Sequence, residues 1–94
     1  MTQEITVNSV VTKTDNYISS ELDGGLVMMS LENNSYYGLD EIGKKVIDMA
    51  ETPVNVQQIT ETLSKEYDVD INQCQSDVIQ LLNNLQKEGI ISVT

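Results

Sequence analysis

The sequence predicts an α+β fold: a three-stranded antiparallel β-meander followed by three α-helices, in a winged helix-turn-helix-like arrangement. Three observations predict it. Up to Leu39 the chain is built of short apolar runs broken by turn residues, the pattern of strands and hairpins. From Asp40 onward apolar residues recur at helical spacing. The breaks between the helical stretches, at Thr52-Pro53 and Asp68-Val69-Asp70, are short enough to keep the helices packed as neighbours.

Met1–Asn16 alternates weakly through Ile5, Val7 and Val10-Val11, and reads as an irregular arm with a short strand near Val10-Val11. Tyr17–Leu22 is the first clear strand, closed by the turn signal Asp23-Gly24-Gly25. Leu26–Leu31 and Ser35–Leu39 flank a polar turn in which Asn33-Asn34 suits positive φ, so the two runs form a hairpin. No later run is available to pair with Ser35–Leu39, which leaves that strand with an open edge.

Asp40 is an N-cap residue for a helix from Glu41 to about Glu51, whose face carries Ile42, Val46, Met49 and Ala50. Pro53 stops it. Asn55, with Gln58 at N3, begins a second helix running to about Tyr67 and presenting Val56, Ile59, Leu63 and Tyr67. The third and longest runs from about Gln73 to Glu88 with Asn72 as cap, and Cys74, Val78, Leu81, Leu82 and Leu85 form its stripe. Gly89 fits the C′ position, and Ile90–Val93 adds a short terminal strand. Residues 1–94 read as a single domain, without repeats or a separating linker.

Composition excludes several functions. Net charge is −10 and all five cations are lysines, so the chain would repel a phosphate backbone and an anionic membrane. A winged-helix regulator of DNA is disfavoured on this ground, because Lys87 is the sole cation in the would-be recognition helix. With one cysteine no internal disulfide forms, and Met-Thr-Gln-Glu-Ile lacks the basic and apolar pattern of a secretory signal. No apolar run is long enough to span a bilayer, and the expected location is the cytoplasm. There is no His, the commonest general base and metal ligand, and no phosphate-binding glycine loop. Cys74 sits on an apolar stripe and reads as a small core residue rather than a nucleophile. The expectation is a protein that is not an enzyme, with no metal and no cofactor.

Two motifs imitate sites. Asp68-Val-Asp70-Ile-Asn72 resembles the start of a calcium loop, but Gln73 and Ile79 stand where glycine and a bidentate glutamate are needed. Ser76-Asp77 inverts the order expected of an acidic carrier protein with a prosthetic arm on serine.

What remains is recognition. Tyr36 and Tyr37 read plainly as strand residues, one on the core and one exposed. In the functional reading the open edge offers its backbone to an incoming peptide, a Tyr shapes a pocket, and Gly38 permits close approach. The third helix, bordering that edge, would wall a groove with an apolar floor and a polar rim at Asp77, Gln80 and Asn84. The acidic run Glu66–Asp70 reads as solvated surface, with a second role in steering a Lys-bearing peptide.

Gly-Leu-Val-Met-Met-Ser-Leu-Glu (25–32) and Tyr-Tyr-Gly-Leu-Asp-Glu-Ile-Gly-Lys-Lys-Val (36–46) resemble the strand–strand–helix core of PqqD-like proteins. Residues 56–69 and 77–91 are similar to that family's second and third helices, so the resemblance runs from about Val10 to Val93. Ile47 departs from it, where many relatives carry Trp. Within the family, Tyr-Tyr-Gly-Leu, followed by an acidic residue and a Gly in the first helix, is most similar to the stand-alone leader-binding protein of lasso-peptide biosynthesis. The resemblance implies a recognition element for ribosomally made precursor peptides (a RiPP recognition element). It would bind the precursor's leader as an added strand and present it to a separate transglutaminase-like cysteine peptidase. Carried over by position, the groove involves Ser35, Tyr36, Tyr37 and Gly38 on the strand and Asp77, Val78, Leu81, Leu82 and Leu85 on the helix. An adaptor for another peptide-modifying enzyme, a radical enzyme or a cyclase, is the alternative.

Overall fold

Two small antiparallel sheets and three helices share one core, giving the α+β class that the sequence predicts. The computed structural model describes residues 4–94, so the first three residues of the expected arm lie outside the described residues. One sheet is the meander β2 (Tyr17–Leu22), β3 (Gly25–Ser30) and β4 (Tyr36–Leu39), in spatial order β2-β3-β4. The other joins β1 (Val10–Lys13), β5 (Val54–Asn55) and β6 (Ile91–Val93), in order β5-β1-β6. The helices are α1 (Glu41–Met49), α2 (Val56–Tyr67) and α3 (Ile71–Lys87).

Alternation sorts the meander's side chains. Leu26, Met28 and Ser30 of β3 face the core and are buried, whereas Val27 and Met29 face outward. The register places Ile18, Met29 and Tyr36 side by side across the three strands, so the outward face carries an apolar row. The β3–β4 turn puts Asn34 at φ +56, while Asn33 keeps negative φ. Asp23 and Gly24 supply the positive φ values of the β2–β3 turn.

The second sheet goes beyond the expectation. β1 is its central strand, with Val11 wholly buried, so this part of the expected arm is a structural spine. Its partners come from far along the chain: Val11 pairs with Val54 and with Val93. The short strand expected near Val10-Val11 is β1, but its central place was not expected, and the two-residue β5 carries no alternation at all. Only pairing defines it.

Asp40 caps α1 as expected, its Oδ1 accepting from the Gly43 amide at 2.9 Å. Asn55 caps α2 through the Gln57 amide at 2.7 Å. The cap of α3 is Asp70 rather than Asn72: its Oδ2 accepts from the Gln73 amide at 3.0 Å, and the helix starts at Ile71. Both residue types cap well, but only Asp70 stands three positions before a free amide once Asp68 has turned the chain at φ +50. The core is formed by Val11, Met28, Val46, Ile59, Leu63, Leu82, Leu85 and Ile90, each essentially without exposed surface. Burying each of these larger side chains contributes roughly 1.5–3 kcal/mol.

Candidate peptide-binding groove

β4 pairs with β3 on one side only. The Ser30 amide donates to the Ser35 carbonyl at 2.8 Å, which makes Ser30 and Ser35 a hydrogen-bonded pair. Antiparallel pairs alternate, so Met28↔Tyr37 and Leu26↔Leu39 are bonded pairs too, and Met29↔Tyr36 and Val27↔Gly38 are not. The outward N–H and C=O groups of β4 therefore belong to Tyr36 and Gly38. Side chains divide the other way: Tyr37 and Leu39 turn inward, half-buried, while Tyr36 is 74% exposed on the outer face. A Cβ at Gly38 would meet nothing within 4 Å, so nothing inside the fold demands glycine there.

Beneath this edge lies a groove of about 580 Å³. β4 contributes Tyr37, Gly38 and Leu39, and α3 contributes Gln73, Cys74, Asp77, Val78 and Leu81. The floor comes from Ile42, Gly43 and Val46 of α1 and from Leu63 and Tyr67 of α2, and Val69, between α2 and α3, completes the lining. Gly43 lets α1 come close, since a Cβ there would sit 2.9 Å from a methyl of Leu39.

One end of the groove is clipped shut. Ser30 Oγ donates to the Glu88 carbonyl at 2.6 Å. Asn33 Nδ2 donates to the Lys87 carbonyl at 3.3 Å and to Glu88 Oε1 at 3.1 Å. The Ser35 hydroxyl donates to the same carboxylate oxygen. One step further in, Asn84 Nδ2 donates to the Tyr37 hydroxyl at 3.3 Å. Two strand residues advance about 6.6 Å and four helical residues about 6 Å, so β4 and α3 run antiparallel in matched steps. Beyond Tyr37 the groove continues, lined by Leu39 and Asp40 from the strand side and by Leu81 and Asp77 from the helix side.

Hydrogen bonds from Ser35 and Asn33 hold the Glu88 carboxyl below the usual glutamate range. A carboxylate with a depressed folded-state pKa stabilises the fold above its unfolded pKa, and that contribution is lost as pH falls through the folded value. Wild type is therefore expected to melt higher than Glu88→Gln at about pH 6. The gap should close on acidification through and below the ordinary carboxylate range; thermal melts of both proteins across that range measure it. Burial, and then the charge of Asp77, pushes the Cys74 thiol up, and the thiol points at the Thr60 carbonyl at 3.8 Å. That environment suits a core residue, not a nucleophile.

Of the residues expected at the site, Tyr37, Gly38, Asp77, Val78 and Leu81 line the groove. Ser35 belongs to the clip. Tyr36 presents its backbone to the edge and its side chain to the outer face, in a shallow depression with Ile18, Val27 and Met29. Leu82 and Leu85 are absent from the groove lining and lie wholly buried in the core. A helical stripe read from sequence does not separate its buried centre from its groove-facing flank, and these two lie at the centre. The lining from α1 and α2 is not marked by any sequence signal, whereas Val69, an apolar residue between two aspartates in the break before α3, stands out in the sequence. No helix among the described residues is long and apolar enough to cross a membrane.

Solved structures share this architecture. TbiB1, in complex with the TbiA(beta) leader peptide, superposes with a TM-score of 0.74 at 24% identity, covering 85% of this chain and 93% of that one. A lasso peptide synthetase B1 complexed with the leader peptide gives 0.73 at 16%, covering 86% and 95%. The PqqD truncation of Methylobacterium extorquens PqqCD, described as a stand-alone RiPP recognition element, gives 0.71 at 19%, covering 88% of each. At these identities the likeness is one of fold. No curated protein matches the chain in sequence. The family model for coenzyme PQQ synthesis protein D matches residues 25–91, from the start of β3 to the start of β6 and well over half the sequence, so the chain belongs to the PqqD family.

Proposed function

We propose that this chain is a non-catalytic adaptor, acting as one peptide-binding domain in the cytoplasm, that holds the leader of a ribosomally made precursor peptide. The leader adds a strand to β4, bonded to Tyr36 and Gly38, and drops alternate side chains into the groove against α3. The adaptor then presents the precursor to a separate transglutaminase-like cysteine peptidase that removes the leader, as in lasso-peptide maturation. The observation that carries this reading is a row of outward backbone groups directly above an apolar groove. Two of the similar structures, TbiB1 and the lasso peptide synthetase B1, are complexes with leader peptides, which supports it. The PqqD truncation among the similar structures favours a second reading, an adaptor for a different peptide-modifying enzyme. The groove would serve either client.

Amide exchange tests strand addition. In the free protein the Tyr36 and Gly38 amides should exchange quickly, because neither has a partner in β3. A synthetic leader from a precursor encoded beside this chain should protect both, and leave Tyr37 and Leu39, already bonded, little changed. Binding without new protection at Tyr36 and Gly38 would rule the mode out. A neighbouring gene for a transglutaminase-like peptidase would favour the first client, and one for a radical enzyme the second.

A further inference from the structure

We propose that the groove selects a leader bearing a lysine or arginine just beyond its paired residues, at the end where β4 runs into α1, and that Asp40 and Asp77 read it. This deepens the proposed function and rests on it. The groove walls are apolar apart from two tyrosine hydroxyls, Gln73 and the two aspartates. Asp40 enters from the cap of α1 and Asp77 from the first half of α3, and both line the groove.

Each carboxylate has one committed oxygen. Asp40 Oδ1 accepts from the Gly43 amide at 2.9 Å, and Asp77 Oδ1 accepts from Gln73 Nε2 at 3.0 Å. No lysine lines the groove. The ion pairs among the described residues lie elsewhere, at Lys13–Glu51, Lys44–Glu21 and Lys45–Glu66. Both residues are exposed in the free protein, and a peptide filling the groove along β4 would cover them and take water from them. An uncharged or acidic peptide would strip solvation from these carboxylates and return nothing. A peptide cation there completes two charge-assisted hydrogen bonds, and the net charge of −10 favours its approach.

The test selects displayed random 12-residue peptides on the immobilised full chain, on Gly38→Pro, and on Asp40→Asn/Asp77→Asn. Asn caps a helix as well as Asp does, so the double variant keeps α1. Wild type is expected to enrich peptides with alternating apolar residues and a Lys or Arg to one side of them. A fluorescein-labelled winner should bind wild type about tenfold tighter than its Lys→Gln counterpart at low salt, and the difference should nearly vanish on the double variant. Two results overturn the proposal alone: winners that lose binding on Gly38→Pro but show no preference for a cation, or a preference that persists in the double variant. Winners that bind Gly38→Pro as well as wild type, or no winners from any arm, overturn strand addition and this proposal with it.

Discussion

Gly38→Pro should abolish leader binding and leave the fold standing. The Gly38 amide points away from β3, so proline removes a hydrogen bond made only with the guest. Space for the ring exists, because a Cβ at this position meets nothing within 4 Å, and edge strands accept proline where the amide faces out. The ring then projects into the plane where the added strand must lie. Leaving the guest carbonyl without a donor costs roughly 1–3 kcal/mol. The steric block adds to this, so affinity should fall by more than about a hundredfold, a difference of about 2.8 kcal/mol. Titration of a labelled leader measures the loss, and an unchanged melting temperature shows that the monomer survives. Tyr36→Ala is the comparison: it removes an outer-face side chain but keeps the backbone, and should change affinity by much less. Equal losses in the two variants would mean that side chains, not the edge, hold the peptide.

Leu82→Ala is expected to cost about 2–5 kcal/mol of folding stability, by removing buried methyl groups and leaving a cavity. For a domain whose whole stability is on the order of 5–15 kcal/mol, that places the variant near unfolding. Its neighbour behaves differently. Leu81 is half-buried and lines the groove, so Leu81→Ala should spare most of the stability and weaken leader binding. Urea denaturation and leader titration on both variants separate the roles. A Leu82→Ala protein that is fully stable but blind to the leader would show that the division of α3 between core and groove is wrong.

That division marks how far the sequence could be read. Periodicity located α3 and its apolar stripe, but a stripe broad enough to touch both core and groove looks the same along its width. Only the packing of α3 on α2 and on β6 decides that Leu82 and Leu85 go inward and Leu81 sideways. The hairpin was legible because turn chemistry is local: Asp23-Gly24 and Asn34 must take positive φ, and they sit between apolar runs. The sheet around β1 was not, because its partners Val54 and Val93 lie far along the chain and no local pattern encodes such pairings. The open edge of β4 followed from counting strands. The floor of the groove did not, since Ile42, Leu63 and Tyr67 meet only after α1 and α2 have packed. Asp70 displacing Asn72 as cap is a smaller lesson of the same kind: two capable residues stood in reach, and the backbone turn at Asp68 chose between them.

The bonds through Glu88, Ser30, Asn33 and Ser35 tie one end of β4 to α3. The other end is tied as well: Leu39 pairs with Leu26, and Asp40 caps α1 through the Gly43 amide. Between these two anchors Asn84 holds the Tyr37 hydroxyl. An edge tethered at both ends is already shaped before a guest arrives, so a peptide joining it would cost the protein little ordering.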